Sequence, residues 1–151
     1  MHPEFSKELV QRQLAVAIAT DGLFNDRVVL EEAGYPRFFI KFFNHNDAAR
    51  LIRFDCTNYD TQPIDVEPVN PNNREALCDD EWLQRNGGAF PNHPLLNKTY
   101  FLCLDGTRHF YTHPGHKPQV TGQRWEAIRQ DLKIADLINA IARRFSSGEW
   151  A

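Results

Sequence analysis

Residues 90–116, FPNHPLLNKTYFLCLDGTRHFYTHPGH, hold the side chains of this chain best suited to chemistry. Cys103 lies between Leu102 and Leu104, with His93 ten residues before it and His109, His113 and His116 after it. A thiolate is a nucleophile and a metal ligand. Imidazole can act as a base, a proton donor or a ligand near neutral pH. Three readings of Cys103 stand side by side. Between two leucines it has the setting of a packed core residue, since free cysteine is among the most buried residue types. With the three later histidines it forms a Cys-x5-His-x3-His-x2-His series whose ligand types suit tetrahedral zinc. That would make a small metal-binding module or a zinc hydrolase with Asp105 as base, although the spacing matches no common finger and no second cysteine is near. As a nucleophile it would form a covalent intermediate, assisted by a histidine acting on protons.

Composition narrows the setting. The chain has 151 residues, is 42% hydrophobic and 25% charged, and carries a net charge of −3. These values fit a single globular domain over residues 1–151 with a sizeable core. The slight acidity and the lack of a basic block disfavour a nucleic-acid partner. The apolar stretch RQLAVAIA, 12–19, is too short to span a bilayer and lacks the plan of a secretory signal, so no membrane partner is expected and the cytoplasm is the expected compartment. Three cysteines, Cys56, Cys78 and Cys103, do not make a disulfide framework. Cys56 ends a strand pattern and Cys78 sits in a polar stretch, so both read as inert. No CxxC, P-loop or GxGxxG occurs.

The elements that must position Cys103 follow from periodicity. Residues 6–19 read as a helix with Ser6 as N-cap, with Leu9, Gln13, Val16 and Ala17 as its pattern and with Gly22 as the stop. Residues 27–32, 37–43 and 49–56 read as strands. The last puts Leu51, Arg53 and Asp55 on one face and Ile52, Phe54 and Cys56 on the other. The short turns AGYP and NHND between them favour an antiparallel meander. A fourth extended piece, 64–69, is flanked by Pro63 and contains Pro68, which suits an edge strand or a strand end. A polar stretch over 70–88 holds one short helix at 74–84. A brief helix at 123–130 precedes the clearest one, 132–145, where Ile134, Leu137, Ile138, Ile141 and Phe145 recur at helical spacing. The ending SSGEWA reads as a frayed tail. Strands followed by helices indicate an α+β fold: an N-terminal helix, a four-stranded antiparallel meander, a long active-site loop and C-terminal helices.

That order resembles the ubiquitin-conjugating enzymes, and two local patterns carry the likeness. The family approaches its fourth strand with Tyr-Pro-x-x-Pro-Pro-x-Val-x-Phe. YDTQPIDVEP here keeps Tyr59, Pro63 and Val66 in register. The family also has His-Pro-Asn ten residues before a cysteine in a context like Ile-Cys-Leu-Asp. Here His93 and Pro94 precede Cys103 at that distance, inside FLCLD. Trp125 resembles the tryptophan that follows the family's active-site segment. The resemblance covers residues 6–145, with two departures. The segment between Tyr59 and His93 is longer than usual, and Leu95 stands where the family has the Asn of His-Pro-Asn. Loss of that Asn makes the chain more similar to divergent bacterial conjugating-enzyme-like proteins, encoded with activating-enzyme, deubiquitinase-like and ubiquitin-like partners.

The resemblance implies a conjugating-enzyme-like domain in which Cys103 carries a ubiquitin-like protein as a thioester. An ATP-dependent activating enzyme would supply the modifier, an acceptor protein would receive it on an amine, and no cofactor would be needed. It implies that His113, or failing that His109, replaces the missing Asn at the oxyanion or takes the amine proton. Asp105 would position a lysine or cap a turn, and His93 would hold the active-site loop. Tyr59 and Pro63 would pack beneath that loop. Lys7, Arg12 and Gln13 of the first helix would face the activating enzyme. Leu95 keeps open a non-catalytic binding module of the same fold. A role in defence against phage is implied by the company such bacterial proteins keep.

Overall fold

A computed structural model describes residues 2–75, 104, 106–108, 111 and 125–150. The described elements are helix α1 (Pro3–Ala19), strands β1 (Val28–Glu32), β2 (Arg37–Phe43), β3 (Ala49–Asp55) and β4 (Asp65–Pro68), the short helix α2 (Trp125–Ile128) and helix α3 (Ile134–Ser146). The strands form one antiparallel sheet in the order β1-β2-β3-β4. The fold is α+β, as the sequence predicts. The helix expected at 74–84 lies, beyond Glu75, outside the described residues, and so does the long active-site loop.

Alternation along the strands builds the sheet's inner face. Phe38, Ile40 and Phe42 of β2, Ile52 and Phe54 of β3 and Val66 of β4 are fully buried. Register brings like residues together: Phe38 lies opposite Phe54, Ile40 opposite Ile52 and Phe54 opposite Val66. The Phe38 and Phe54 rings stack with centroids 4.6 Å apart. Onto this face pack Val10, Leu14 and Ala17 of α1 and Ile134, Leu137, Ile138, Ile141 and Phe145 of α3, all in one apolar cluster. Each of the larger side chains contributes about 1.5–3 kcal/mol by leaving water. β4 is an edge strand, where Pro68 breaks no ladder that the sheet needs.

Three readings of the helices and the tail are corrected. Helix α1 starts at Pro3, with His2 as N-cap: its ring Nδ1 accepts the Glu4 amide at 3.2 Å. Ser6 is an interior, fully buried residue whose hydroxyl donates to the Tyr59 carbonyl. Proline at the first helical position needs no amide partner, which lets the helix begin three residues early. The buried stripe of α1 is Ser6, Val10, Leu14 and Ala17, whereas Val16 is 59% exposed. The tail is docked. Gly148 at φ 81° reverses the chain after α3, as glycine does at helix C-termini. Trp150 then lies edge-on to Phe145 at 5.6 Å with only 3% of its surface exposed.

The sheet's outer face is charged and partly buried. Arg53 and Glu67 face each other across β3 and β4 and pair at 2.6 Å, with side-chain exposures of 15% and 9%. Phe39, Leu51 and Val69 form a second apolar cluster on that face. Burial, helped by the neighbouring Asp65, pushes the Glu67 carboxyl up to about 7 against the pull of Arg53. Partial burial also works to raise Asp55, but hydrogen bonds from the Thr57 hydroxyl and amide, with Arg37, outweigh it and bring it down. Between the ordinary value of 4.5 and about 7, folded Glu67 keeps a proton that the unfolded chain releases. Stability therefore falls as pH rises through that window. Glu67→Gln keeps an acceptor for Arg53 and removes the titration. Urea unfolding at pH 5 and pH 8 is expected to show a loss for the native chain that exceeds the variant's by about 1–3 kcal/mol. Equal pH dependence in the two proteins would overturn this account.

Candidate functional site

Between Cys103 and α2 the described residues are Leu104, Gly106, Thr107, Arg108 and Tyr111. They are held firmly. Thr107 forms a parallel bridge with Ile64, at the entrance to β4, and the Arg108 amide donates to the Ile64 carbonyl at 2.8 Å. The fully buried Thr107 donates its hydroxyl to the Leu104 carbonyl at 2.7 Å. The Arg108 guanidinium reaches the Thr57 carbonyl at 3.1 Å. Leu104 is 6% exposed and belongs to the main core cluster.

Beneath this anchor lies an aromatic series. Tyr59 and Trp125 approach with ring centroids 6.1 Å apart, and Trp125 and Tyr111 with centroids 6.3 Å apart. The Tyr111 hydroxyl accepts the Gly106 amide at 3.2 Å. Trp125 donates its indole N–H to the Asp60 carbonyl at 2.7 Å, which fixes the ring and the loop before β4 together. Tyr59 is held at both ends by α1: its carbonyl accepts from Ser6 and its hydroxyl donates to Gln13 Oε1 at 2.9 Å. Burial, reinforced by the charge of Asp60, pushes the Tyr59 phenol up, so it stays a neutral donor. Gly106 has φ 93°, and a side chain there would collide with Leu132. Tyr59, Ile64, Gly106, Trp125, Leu132 and Leu137 leave a residual void of only about 10 Å³ between them, at the lower limit for one water.

Of the residues singled out from sequence, Tyr59 is buried at the centre of this arrangement, 1% exposed, which suits a packing role. Pro63 is half-buried. Lys7 and Arg12 are exposed on α1, and Arg12 is engaged in an i,i+4 pair with Glu8 at 2.7 Å. Gln13 does not share that surface: its side chain turns inward to Tyr59 and to the Ile134 amide, 3.1 Å away. Cys56 is fully buried, and burial followed by the charge of Asp55 pushes its thiol up, so it is inert as expected. His93, Cys103, Asp105, His109, His113, His116 and Cys78 lie outside the described residues. Among the described residues no group of His, Cys, Asp and Glu side chains could hold a metal ion, and no helix is long and apolar enough to cross a membrane.

Sequence reasoning assigned Ser6 and Gln13 other roles, an N-cap and a surface position, and missed Gly106 and Tyr111. A signal for the first two was present. Ser6, Val10, Gln13 and Ala17 follow i, i+4, i+7, i+11 spacing, so two polar residues share the stripe that packs inward. Polar groups on such a stripe need partners inside the protein. No protein-family model matches the chain, and no curated protein matches it.

Proposed function

We propose that this chain is a divergent bacterial ubiquitin-conjugating-enzyme-like transferase that carries a ubiquitin-like protein on Cys103. The observation that supports it is the meeting of Tyr59 and Trp125. Each carries part of the sequence likeness, they are 66 positions apart, and their rings pack together under the segment that follows Cys103. The element order on either side of that contact is also the one the likeness implies.

In the first step the Cys103 sulfur attacks the carbonyl carbon of a thioester on the activating enzyme. A new carbon–sulfur bond forms, and the activating enzyme's thiolate leaves. In the second, an acceptor amine attacks the same carbon, a carbon–nitrogen bond forms and the Cys103 thiolate departs. The amine proton passes to His113, or failing that to His109, and a histidine N–H also stabilises the oxyanion in place of the missing Asn. Asp105 positions the amine and His93 holds the loop. Lys7 and Arg12 face the activating enzyme, which spends the ATP, so this chain uses no cofactor. The setting is the bacterial cytoplasm, within a conjugation pathway that serves antiviral defence.

The deciding assay mixes the protein with a partner activating enzyme, its ubiquitin-like protein and ATP before a non-reducing gel. The expected product is one modifier heavier, is removed by thiol reductant and is absent in Cys103→Ala. Cys103→Ser is expected to trap an ester that resists reductant. With partners that charge each other normally, no adduct on the native chain would sink the carrier role. A zinc assay on the same sample would then separate a metal site from a binding module.

A further inference from the structure

The outer face of the sheet gathers three arginines around one ring. Phe39 of β2 lies opposite Arg53 of β3 in the ladder, and Arg37 is two positions before Phe39 on the same strand. Successive strand residues alternate between faces, so these three side chains share one face. Arg74, in the turn after β4, sits at φ 61° and lays its guanidinium over the Phe39 ring, 4.4 Å from the centroid. All three arginines line an open cavity of about 670 Å³, together with Tyr35, Phe39 and Glu32. Each arginine has a carboxylate partner: Arg37 meets Asp55 at 3.1 Å, Arg53 meets Glu67 at 2.6 Å, and Arg74 pairs with Glu32. Each pair engages a single guanidinium nitrogen. The Arg53 Nε, which is buried, has no partner among the described residues. A guanidinium carries five N–H donors, so donors around the cavity remain for a ligand.

We propose that this cavity binds a small organic phosphate, whose phosphate oxygens accept from Arg37, Arg53 and Arg74 and whose body lies against Tyr35. Guanidinium forks match phosphate oxygens in geometry and charge. Three of them suit a group with three terminal oxygens, whereas a carboxylate offers two. The cavity is of the size that small-molecule sites have, and a bare phosphate would fill only a small part of it. The neighbouring carboxylates compete weakly. Glu32 and Glu75, which also borders the cavity, are exposed and can turn to water. Exposed ion pairs such as Arg74–Glu32 hold loosely. Burial pushes the Glu67 carboxyl up to about 7, so near neutrality the charge of Arg53 is only partly balanced. The site is on the face of the sheet away from the main core, and it does not depend on the carrier reading.

Phenyl phosphate is the probe, titrated into the full chain at constant ionic strength while arginine Nε–H and backbone amide signals are followed by NMR. Saturable shifts are expected at Arg37, Arg53 and Arg74. Inorganic phosphate, which has no ring to set against Tyr35, is expected to bind at least about threefold more weakly. Arg37→Gln and Arg74→Gln should each weaken phenyl phosphate about tenfold, as the loss of hydrogen bonds to a charged group does. Both arginines are exposed, and Asp55 keeps its bonds from Thr57, so neither change strands a buried charge. Lys41→Gln is the control. Lys41 is two positions after Phe39 on the same face but outside the cavity, and its loss should change the affinity less than about twofold. Absence of saturable shifts up to about 10 mM phenyl phosphate would overturn the proposal. So would a loss in Lys41→Gln equal to that in Arg37→Gln, which would mark a general field of the face. Equal affinity for phenyl phosphate and inorganic phosphate would overturn the assignment to an organic ester.

Discussion

Gly106→Ala is expected to lower the melting temperature by roughly 5–20 °C, corresponding to a loss of about 2–5 kcal/mol for a domain of this size. Two separate costs add. At φ 93° the backbone of residue 106 is in a region that side chains rarely adopt, which costs on the order of 1–2 kcal/mol. The added Cβ would also fall 2.1 Å from Leu132 Cδ2 and 3.5 Å from its Cγ, with Leu137 Cδ1 at 3.9 Å. Leu132 is half-buried, so its terminal methyl must leave its present packing to admit the new group. Forcing a methyl into such packing costs about 1–3 kcal/mol. The two parts can be separated. Leu132→Ala in the Gly106→Ala background removes the collision but leaves the backbone strain. The pair should therefore show a favourable coupling of about 1–2 kcal/mol by thermal or urea unfolding. A Gly106→Ala protein as stable as the native chain would mean that this turn is not built as described.

The fold was legible because its strands and last helix are strongly periodic. The bounds of β2 are those the pattern predicts, and β1, β3 and β4 differ only by a residue at their ends. Ile134, Leu137, Ile138, Ile141 and Phe145 are the buried stripe of α3, as predicted. Helix α1 was harder because its apolar residues run nearly all around it: Phe5, Val16 and Ile18 are more than half exposed, while Ser6 is buried. Hydrophobicity alone therefore pointed to the wrong stripe. What decides the rotation is a pair of long-range hydrogen bonds, from Ser6 to Tyr59 and from Tyr59 to Gln13, and no local pattern contains them. The tail was misread for the same kind of reason. Short polar endings fray by default, but Trp150 carries enough apolar surface to dock on Phe145, and its amide donates to the Arg144 carbonyl at 3.0 Å.

The candidate site was legible in part. Tyr59 and Trp125 were named from the sequence, and they touch. Tyr111 and Gly106, which complete the support, have no signature, since their roles depend on what lies across the space between β4 and α3. Arg108 illustrates the point. In sequence it is one basic residue in a polar run, whereas in the fold its amide caps Ile64 and its guanidinium caps Thr57, so it stitches the segment after Cys103 to two points of the preceding loop.

Trp125→Ala is expected to cost about 3–5 kcal/mol, the usual range for emptying the site of a large buried aromatic ring. Trp125 is 5% exposed, and its ring is the middle member of the series between Tyr59 and Tyr111. Trp125→Phe separates the contributions. It keeps most of the ring contact but removes the indole N–H, leaving the Asp60 carbonyl without its 2.7 Å donor. About 1–2 kcal/mol should follow from that lost bond and the smaller ring. The stacking itself is measurable through Tyr111→Leu: combined with Trp125→Ala, the two losses should fall short of additivity by about 0.5–1.5 kcal/mol, the worth of an aromatic pair beyond its buried area. Strict additivity would mean that Trp125 and Tyr111 are neighbours without being partners. Support for Gly106 would then come from the Tyr111 hydroxyl and from the bonds of Thr107 and Arg108 to Ile64 and Thr57, without help from the Trp125 ring.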